Sequence, residues 1–343
     1  MAHKVALTVV FPGITLEEES ITSAGAELVK AMCFTPDDVL ALAHDANAVL
    51  TGPIVPFQRD LIEKLTKCKL IASIGTGYDP IDIAAATENG ICVTNVPDYC
   101  IDEVANHTMA MLLACNQKLA QLSNAVKDGK WDKVTQPTLP EISRPRFRLG
   151  GRTLGLIGFG NIARNLVPKA QAFGLKVIAY DPYVSATVAE RLGVELVDLD
   201  RLLEVSDFVS VHAALTEENR HMIGLEQFKK MNPTAYFINV ARGALVDEDA
   251  LHTALSQGFI AGAGIDVMET EPIKPENPLL RLDNIIISPH SAQYSEEATA
   301  ELWRKPLEEA ARVLKGEWPR AIAFVNPQVK ETFVSKWGKV AAD

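Results

Sequence analysis

Short apolar runs alternate with longer helical stretches along nearly the whole chain. Residues 4–10, 46–50, 70–74 and 91–95 each read as a strand, and residues 56–65 as a helix that opens at Pro56. Further on, residues 154–157, 176–180, 195–197, 208–212, 236–240, 262–267 and 285–288 have strand length and apolar character. Residues 199–205, 225–231 and 247–257 are helical, the last with Asp247 as N-cap and Gly258 as its stop. Strands that alternate with helices predict an α/β fold built on parallel sheets. Residues 102–122 are apolar on nearly every face, from Val104, Ala105, Met109 and Met111 through Leu112 and Leu113 to Leu119, with Asp102 as candidate N-cap. Such a helix is expected to be buried between domains or subunits. Residues 129–151 are polar, carry Pro137, Pro140 and Pro145, and read as a surface loop, while residues 296–314 read as a last long helix returning to the first domain.

One stretch, TLGLIGFGNIARNLVPKAQAFGLKVIAYDP over residues 153–182, carries the clearest chemistry. A strand runs into Gly158-Phe159-Gly160-Asn161-Ile162-Ala163, a helix follows, and a second strand ends in Asp181. Gly158 permits a sharp turn, and Gly160 lets a pyrophosphate approach the backbone. Ala163 is small enough for close helix–strand packing. The helix start at Asn161 and Ile162 offers free N–H groups and partial positive charge to phosphates. Asp181 stands where a carboxylate can accept hydrogen bonds from ribose hydroxyls. That carboxylate would repel a 2′-phosphate, and Pro182-Tyr183 supplies no Arg to neutralise one, so the expected dinucleotide is NAD rather than NADP. Pro168 lies inside the expected helix, where proline costs about 3 kcal/mol.

The whole-chain numbers narrow the field. With 343 residues, 48% of them hydrophobic, the chain has room for two domains. A net charge of −11 argues against binding nucleic acid or an anionic membrane, which takes clustered Lys and Arg. No run of 18 apolar residues exists, and the start lacks a signal-peptide layout. The five cysteines, Cys33, Cys68, Cys92, Cys100 and Cys115, are scattered without a C-x-x-C pair. That usage suits a reducing cytoplasm and predicts neither a zinc site nor a disulfide framework.

Ligands in an open parallel sheet sit beyond the carboxyl ends of the strands. Gly75-Thr76-Gly77 follows one such end, and its N–H groups could hold a carboxylate or phosphate, or form only a tight turn. Arg242, Glu271 and His290 follow three others. A His can donate a proton to a carbonyl that accepts hydride. A carboxylate on that His orients it and favours its charged form. An Arg can clamp a substrate carboxylate with two parallel hydrogen bonds. Each residue taken singly also reads as a surface ion pair, a capped helix end or a packed histidine. His107, inside the apolar helix, reads as a packed histidine.

The segment Asn239-Val240-Ala241-Arg242-Gly243-Ala244-Leu245-Val246-Asp247, then Asp266 to Pro272, then Ser288-Pro289-His290, resembles the signatures of the D-isomer-specific 2-hydroxyacid dehydrogenases over about residues 45–326. The resemblance implies Arg242 as substrate clamp, Glu271 as partner of His290, and His290 as general acid/base. It implies that Gly75, Thr76 and Gly77 hold the substrate carboxylate. It also implies that Asp266 and the Val240 carbonyl orient the nicotinamide carboxamide, and that Thr108, Ala213 and Thr216 lie along the cofactor. Residues 290–295 and Phe324-Val325-Asn326-Pro327 look most like the C-terminal-binding-protein branch, which includes NAD-dependent corepressors. Gln293 stands where that branch has Trp, and Ser73 where the branch and phosphoglycerate dehydrogenases have Arg. Pro80 replaces the family's usual Asn after the loop aspartate.

These readings combine into two domains. Residues 102–289 are expected to form a Rossmann-type doubly wound NAD domain. Residues 1–101 and 290–343 are expected to form a smaller flavodoxin-like substrate domain, with the substrate cleft between them. The implied activity is reversible hydride transfer between NAD(H) and a small 2-oxo or D-2-hydroxy acid, in a cytoplasmic homodimer. A corepressor-like NAD sensor is the rival from another class. A phosphoglycerate dehydrogenase is the rival within the family, disfavoured by Ser73 and by the lack of room for a regulatory domain after Asp343.

Overall fold

The computed structural model describes residues 3–131 and 145–340. The expected loop over residues 129–151 therefore lies mostly outside the described residues. Backbone contacts divide the chain into two compact units, Met1–Cys100 with Ser295–Asp343, and Ile101–Tyr294. The second crossing falls at Tyr294 rather than at Pro289, so His290 belongs with the strands before it.

The first unit is built on five parallel strands: β1 (His3–Leu7), β2 (Ala26–Lys30), β3 (Ala48–Thr51), β4 (Leu70–Ser73) and β5 (Cys92–Thr94). Their order, β2-β1-β3-β4-β5, is the flavodoxin-like one. Side chains alternate across a strand, and here the alternation feeds two cores. Ala6, Val49, Ile71 and Val93 face one, with Phe57, Leu61 and Ile62. Val5, Leu7, Leu50, Ala72 and Cys92 face the other, which the helix Glu296–Leu314 closes with Trp303, Leu307, Ala310 and Val313. The last segment is tied to β5. Asn326, fully buried, accepts the Val93 N–H at 2.7 Å and donates to Thr87 Oγ1 and the Ile91 carbonyl, both at 3.0 Å.

The second unit holds seven parallel strands: β6 (Thr153–Ile157), β7 (Lys176–Tyr180), β8 (Glu195–Leu196), β9 (Phe208–Val211), β10 (Tyr236–Asn239), β11 (Gly262–Ile265) and β12 (Ile285–Ile287). The order β12-β11-β10-β9-β6-β7-β8 reverses direction at β6, which is the Rossmann arrangement with its switch point between β6 and β9. β9, β10 and β11 are buried at every position, as expected of strands covered on both faces.

Two expectations about residues 102–122 are corrected. The helix Ile101–Gln117 stops at Lys118, whose φ is +55°, and a second helix runs Leu119–Lys127. Lys118 is buried, with its ammonium 4.9 Å from the centre of the Tyr236 ring. Asp102 lies inside the first turn and pairs with Lys169 at 2.6 Å rather than capping the helix. Most of the helix's apolar residues, Met109 and Met111 included, are buried within this one chain. Pro168 sits, exposed, within the helix Asn161–Ala172, and nothing in the structure explains it.

Candidate active site

The dinucleotide end begins where β6 stops. Gly158 has φ of +91°, and a Cβ there would stand 2.6 Å from the Ala213 amide nitrogen beyond β9. Both the left-handed backbone and the close approach require glycine. Nothing lies within 4 Å of a Cβ built on Gly160, which leaves the face above it open. Gly160 is the N-cap of the helix Asn161–Ala172, with Asn161 exposed, Ile162 half-buried and Ala163 fully buried below. Asp181 is locked to the turn. Its Oδ2 accepts the Phe159 N–H at 2.8 Å and its Oδ1 the Tyr183 N–H at 2.9 Å. An open glycine face, a helix start and a fixed carboxylate at the sheet's switch point fit a dinucleotide.

The other expected cofactor residues divide. Ala213 packs on Gly158, and exposed Thr216 follows it on a loop held by Asn219, which accepts the Thr216 N–H and donates to the Ala214 carbonyl, both at 2.7 Å. Thr108 lies on the helix Ile101–Gln117. It is fully buried in its helix, and its hydroxyl donates to the Val104 carbonyl at 2.7 Å.

The reacting end is assembled by the turns after β10, β11 and β12. Asn239, buried at the end of β10, accepts the Ala241 N–H at 3.0 Å and donates to the Arg242 carbonyl at 2.9 Å. It moulds the turn that carries Val240 and Arg242. The Arg242 guanidinium donates to the Ala241 carbonyl at 2.7 Å. A Cβ on Gly243 would lie 2.0 Å from the Met268 carbonyl carbon, so the Arg242 turn rests directly on the turn that leads to Glu271. Glu271 Oε1 accepts the Met268 N–H at 2.9 Å, and Oε2 faces His290 Nδ1 at 2.7 Å.

Burial alone would raise the Glu271 pKa. The hydrogen bonds from His290 and Met268, and the charges of His290 and Arg242, outweigh it and hold the carboxyl below its usual range. That balance also places Arg242 within electrostatic reach of Glu271. An ionised carboxylate only accepts, so Nδ1 of His290 carries the hydrogen and Nε2 is the nitrogen that exchanges a proton.

Asp266, expected beside a nicotinamide carboxamide, directly follows β11. It is buried, and its carboxylate accepts the Ser288 hydroxyl and the N–H groups of Ser291 at 2.9 Å and Ala292 at 3.0 Å. Its carbonyl takes the His290 N–H at 2.7 Å. The residue therefore braces the His290 loop.

In the first unit, the Gly75–Gly77 loop follows β4. The Ser73 hydroxyl donates to the Gly77 carbonyl and the Asn95 amide to the Thr76 carbonyl, both at 2.7 Å, while Thr76 Oγ1 donates to the Val96 carbonyl at 3.2 Å. Asn95, Asn219 and Asn239 were not singled out by sequence; side chains that shape turns carry no charge or motif of their own. Among the described residues, no three His, Cys, Asp or Glu side chains group to hold a metal ion, and no helix is long and apolar enough to cross a membrane. All five cysteines are free and buried, and burial pushes the Cys68 and Cys115 thiols up to about 12.

Comparison with known proteins bears on this geometry. Residues 109–292 match the family described as D-isomer specific 2-hydroxyacid dehydrogenase, NAD binding domain. The chain is 42% identical over 295 residues to D-3-phosphoglycerate dehydrogenase of Methanocaldococcus jannaschii, covering 85% of this chain and 54% of that protein, about half its length. It is 37% identical over 291 residues to glyoxylate reductase of Korarchaeum cryptofilum, covering 85% of this chain and 86% of that one. A solved glyoxylate reductase from Paecilomyes thermophila superposes with a TM-score of 0.83 at 28% identity, covering 95% of this chain and 99% of that one. With the Rossmann order, the Gly158 turn and the Arg242, Glu271 and His290 turns, these matches lead to one conclusion: the chain belongs to the D-isomer-specific 2-hydroxyacid dehydrogenase family.

Proposed function

We propose that the chain is an NAD-dependent reductase of small 2-oxo acids, acting reversibly on the D-2-hydroxy acids. The observation that carries this reading is the 2.7 Å contact from His290 Nδ1 to Glu271, beside Arg242, on the same strand ends as the Gly158 turn. Bound NADH supplies the hydride. Arg242 holds the substrate carboxylate through two parallel hydrogen bonds and polarises the carbonyl. His290 gives the proton on Nε2 to the carbonyl oxygen, and Glu271 stabilises the imidazolium that must precede that step. In the reverse direction neutral His290 takes the hydroxyl proton. Gly158, Gly160, Asn161, Ile162, Ala213, Thr216 and Val240 line the cofactor, and Asp181 selects NAD by repelling a 2′-phosphate.

Ser73, a hydroxyl rather than a cation, supports the Gly75–Gly77 loop and favours an unphosphorylated acid. Glyoxylate and hydroxypyruvate are the first candidates, given the glyoxylate reductase relatives. The exposed apolar side chains Leu119, Val126 and Trp131 suit a homodimer through this unit, and five free cysteines suit a reducing cytoplasm.

A spectrophotometric screen tests the reading. Glyoxylate, hydroxypyruvate, pyruvate, phenylpyruvate and 3-phosphohydroxypyruvate are offered with NADH and with NADPH. Glyoxylate or hydroxypyruvate should be reduced, with kcat/KM at least about tenfold higher for NADH. Preference for the phosphorylated acid would select the phosphoglycerate dehydrogenase reading. No oxidation with any acid would remove the enzyme reading in favour of an NAD-sensing protein.

A further inference from the structure

We propose that His107 is a positioning residue for the acid/base histidine, acting through Ser288 and Asp266; the inference rests on the reading of His290 given above. His107 lies on the helix Ile101–Gln117, far from His290 in sequence. Its Nε2 stands 3.1 Å from Ser288 Oγ and 3.6 Å from Asp266 Oδ1. Ser288 has one hydroxyl proton, and that proton goes to the Asp266 carboxylate, which only accepts. His107 must therefore donate from Nε2 to Ser288 Oγ. Donation runs from His107 to Ser288 and from Ser288 to the accepting Asp266 carboxylate.

That series of hydrogen bonds ends on the backbone that aims His290. The Asp266 carboxylate also takes the N–H groups of Ser291 and Ala292, and its carbonyl takes that of His290. Contacts thus reach residues on both sides of His290. They hold a non-glycine residue at φ of +51°, a left-handed conformation that persists only when its surroundings over-determine it.

The strand below explains why a helix histidine reaches this loop. His107, Met111 and Cys115 recur every four residues and share one helix face. A Cβ on Gly264 of β11 would lie 3.1 Å from Met111 Cβ and 3.3 Å from Cys115 Sγ. The missing side chain lets the helix descend onto β11. Two turns before Cys115, the same face presents His107 to Asp266 and Ser288, just past the ends of β11 and β12.

Two variants of the full chain separate positioning from bulk. His107→Leu fills the space without a donor. His107→Gln keeps an N–H near the place of Nε2. In His107→Leu, kcat for 2-oxo acid reduction should fall about tenfold, the worth of one hydrogen bond in such a network. NADH affinity by fluorescence and KM for the acid should stay within about twofold. His107→Gln should restore most of kcat. The imidazole NMR signals of His290, assigned by their loss in His290→Ala, should shift or broaden in His107→Leu and return in His107→Gln. Unchanged His290 signals in His107→Leu, or equal losses in both variants, would overturn the inference. The NMR comparison decides this even if the wild type reduces no acid, an outcome that would overturn the reductase reading separately.

Discussion

The proposed reaction depends on which side chains meet, and at this scale it rests on the His290–Glu271 pair. Both residues were legible in sequence because each lies in the stretch after a strand, within segments that resemble the family's signatures. Their 2.7 Å contact was not, since 19 residues separate them and only the packed turns bring them together. Glu271, ionised beside His290 and Arg242, favours the imidazolium that reduction consumes. In Glu271→Gln the charge is gone while the shape is kept. kcat/KM should then fall by about tenfold, with NADH affinity nearly unchanged. His290→Ala should lose roughly 10²–10⁴-fold in rate, the usual share of general acid–base catalysis. A kcat/KM equal to wild type in Glu271→Gln would eliminate the carboxylate's part. Asp266, which the family signature singled out for the cofactor, also braces the His290 loop through Ser288, Ser291 and Ala292, contacts that the sequence did not show.

Strands came out of the sequence nearly complete, because strands covered on both faces are continuous apolar runs, whereas the helices Pro36–Ala43, Ile83–Glu88, Ala186–Glu190 and Lys330–Trp337 were not singled out. β7 and the helix Leu199–Val205 fall on the expected residues. β2 went unrecognised, since an edge strand buries only part of itself and AELVK carries a charge at two of its five positions. The stop at Lys118 was also hidden, since lysine carries no local signal for the left-handed backbone it adopts there. Glycine decides how closely these elements approach. Gly243 lets the turn after β10 lie against the Met268–Glu269 backbone. Gly243→Ala forces a methyl group to within 2.0 Å of that backbone, which must move. Overpacking of this severity should destabilise by on the order of 3 kcal/mol. Because it parts Arg242 from Glu271, kcat/KM should fall further than NADH affinity does. A urea midpoint and kcat/KM both equal to wild type would show that the two turns do not depend on this contact.

For the molecule as a whole, the half-buried His212 is one group that ties folding to pH. Burial lowers the His212 pKa from 6.5 to about 4, where Ser210 Oγ lies 2.9 Å from its Nε2. Between these two values the unfolded chain binds a proton that the folded chain refuses, so stability falls as pH drops from about 6.5 towards 4. The loss should reach about 3 kcal/mol near pH 4. Urea unfolding of wild type and His212→Gln at pH 7 and pH 4.5 measures it, and an equal loss in both would clear His212. By itself, the sequence determined the α/β class, the dinucleotide turn with its acid, and the residues able to do the chemistry. Each of these is written locally, in period, glycine placement and residue type. Only the tertiary structure decided that residues 290–294 join the second unit, that Asp266 and His107 support a loop, and that Thr108 is sealed in its helix. Those outcomes depend on which distant surfaces pack, and hydrophobic periodicity says that a face is buried without saying against what.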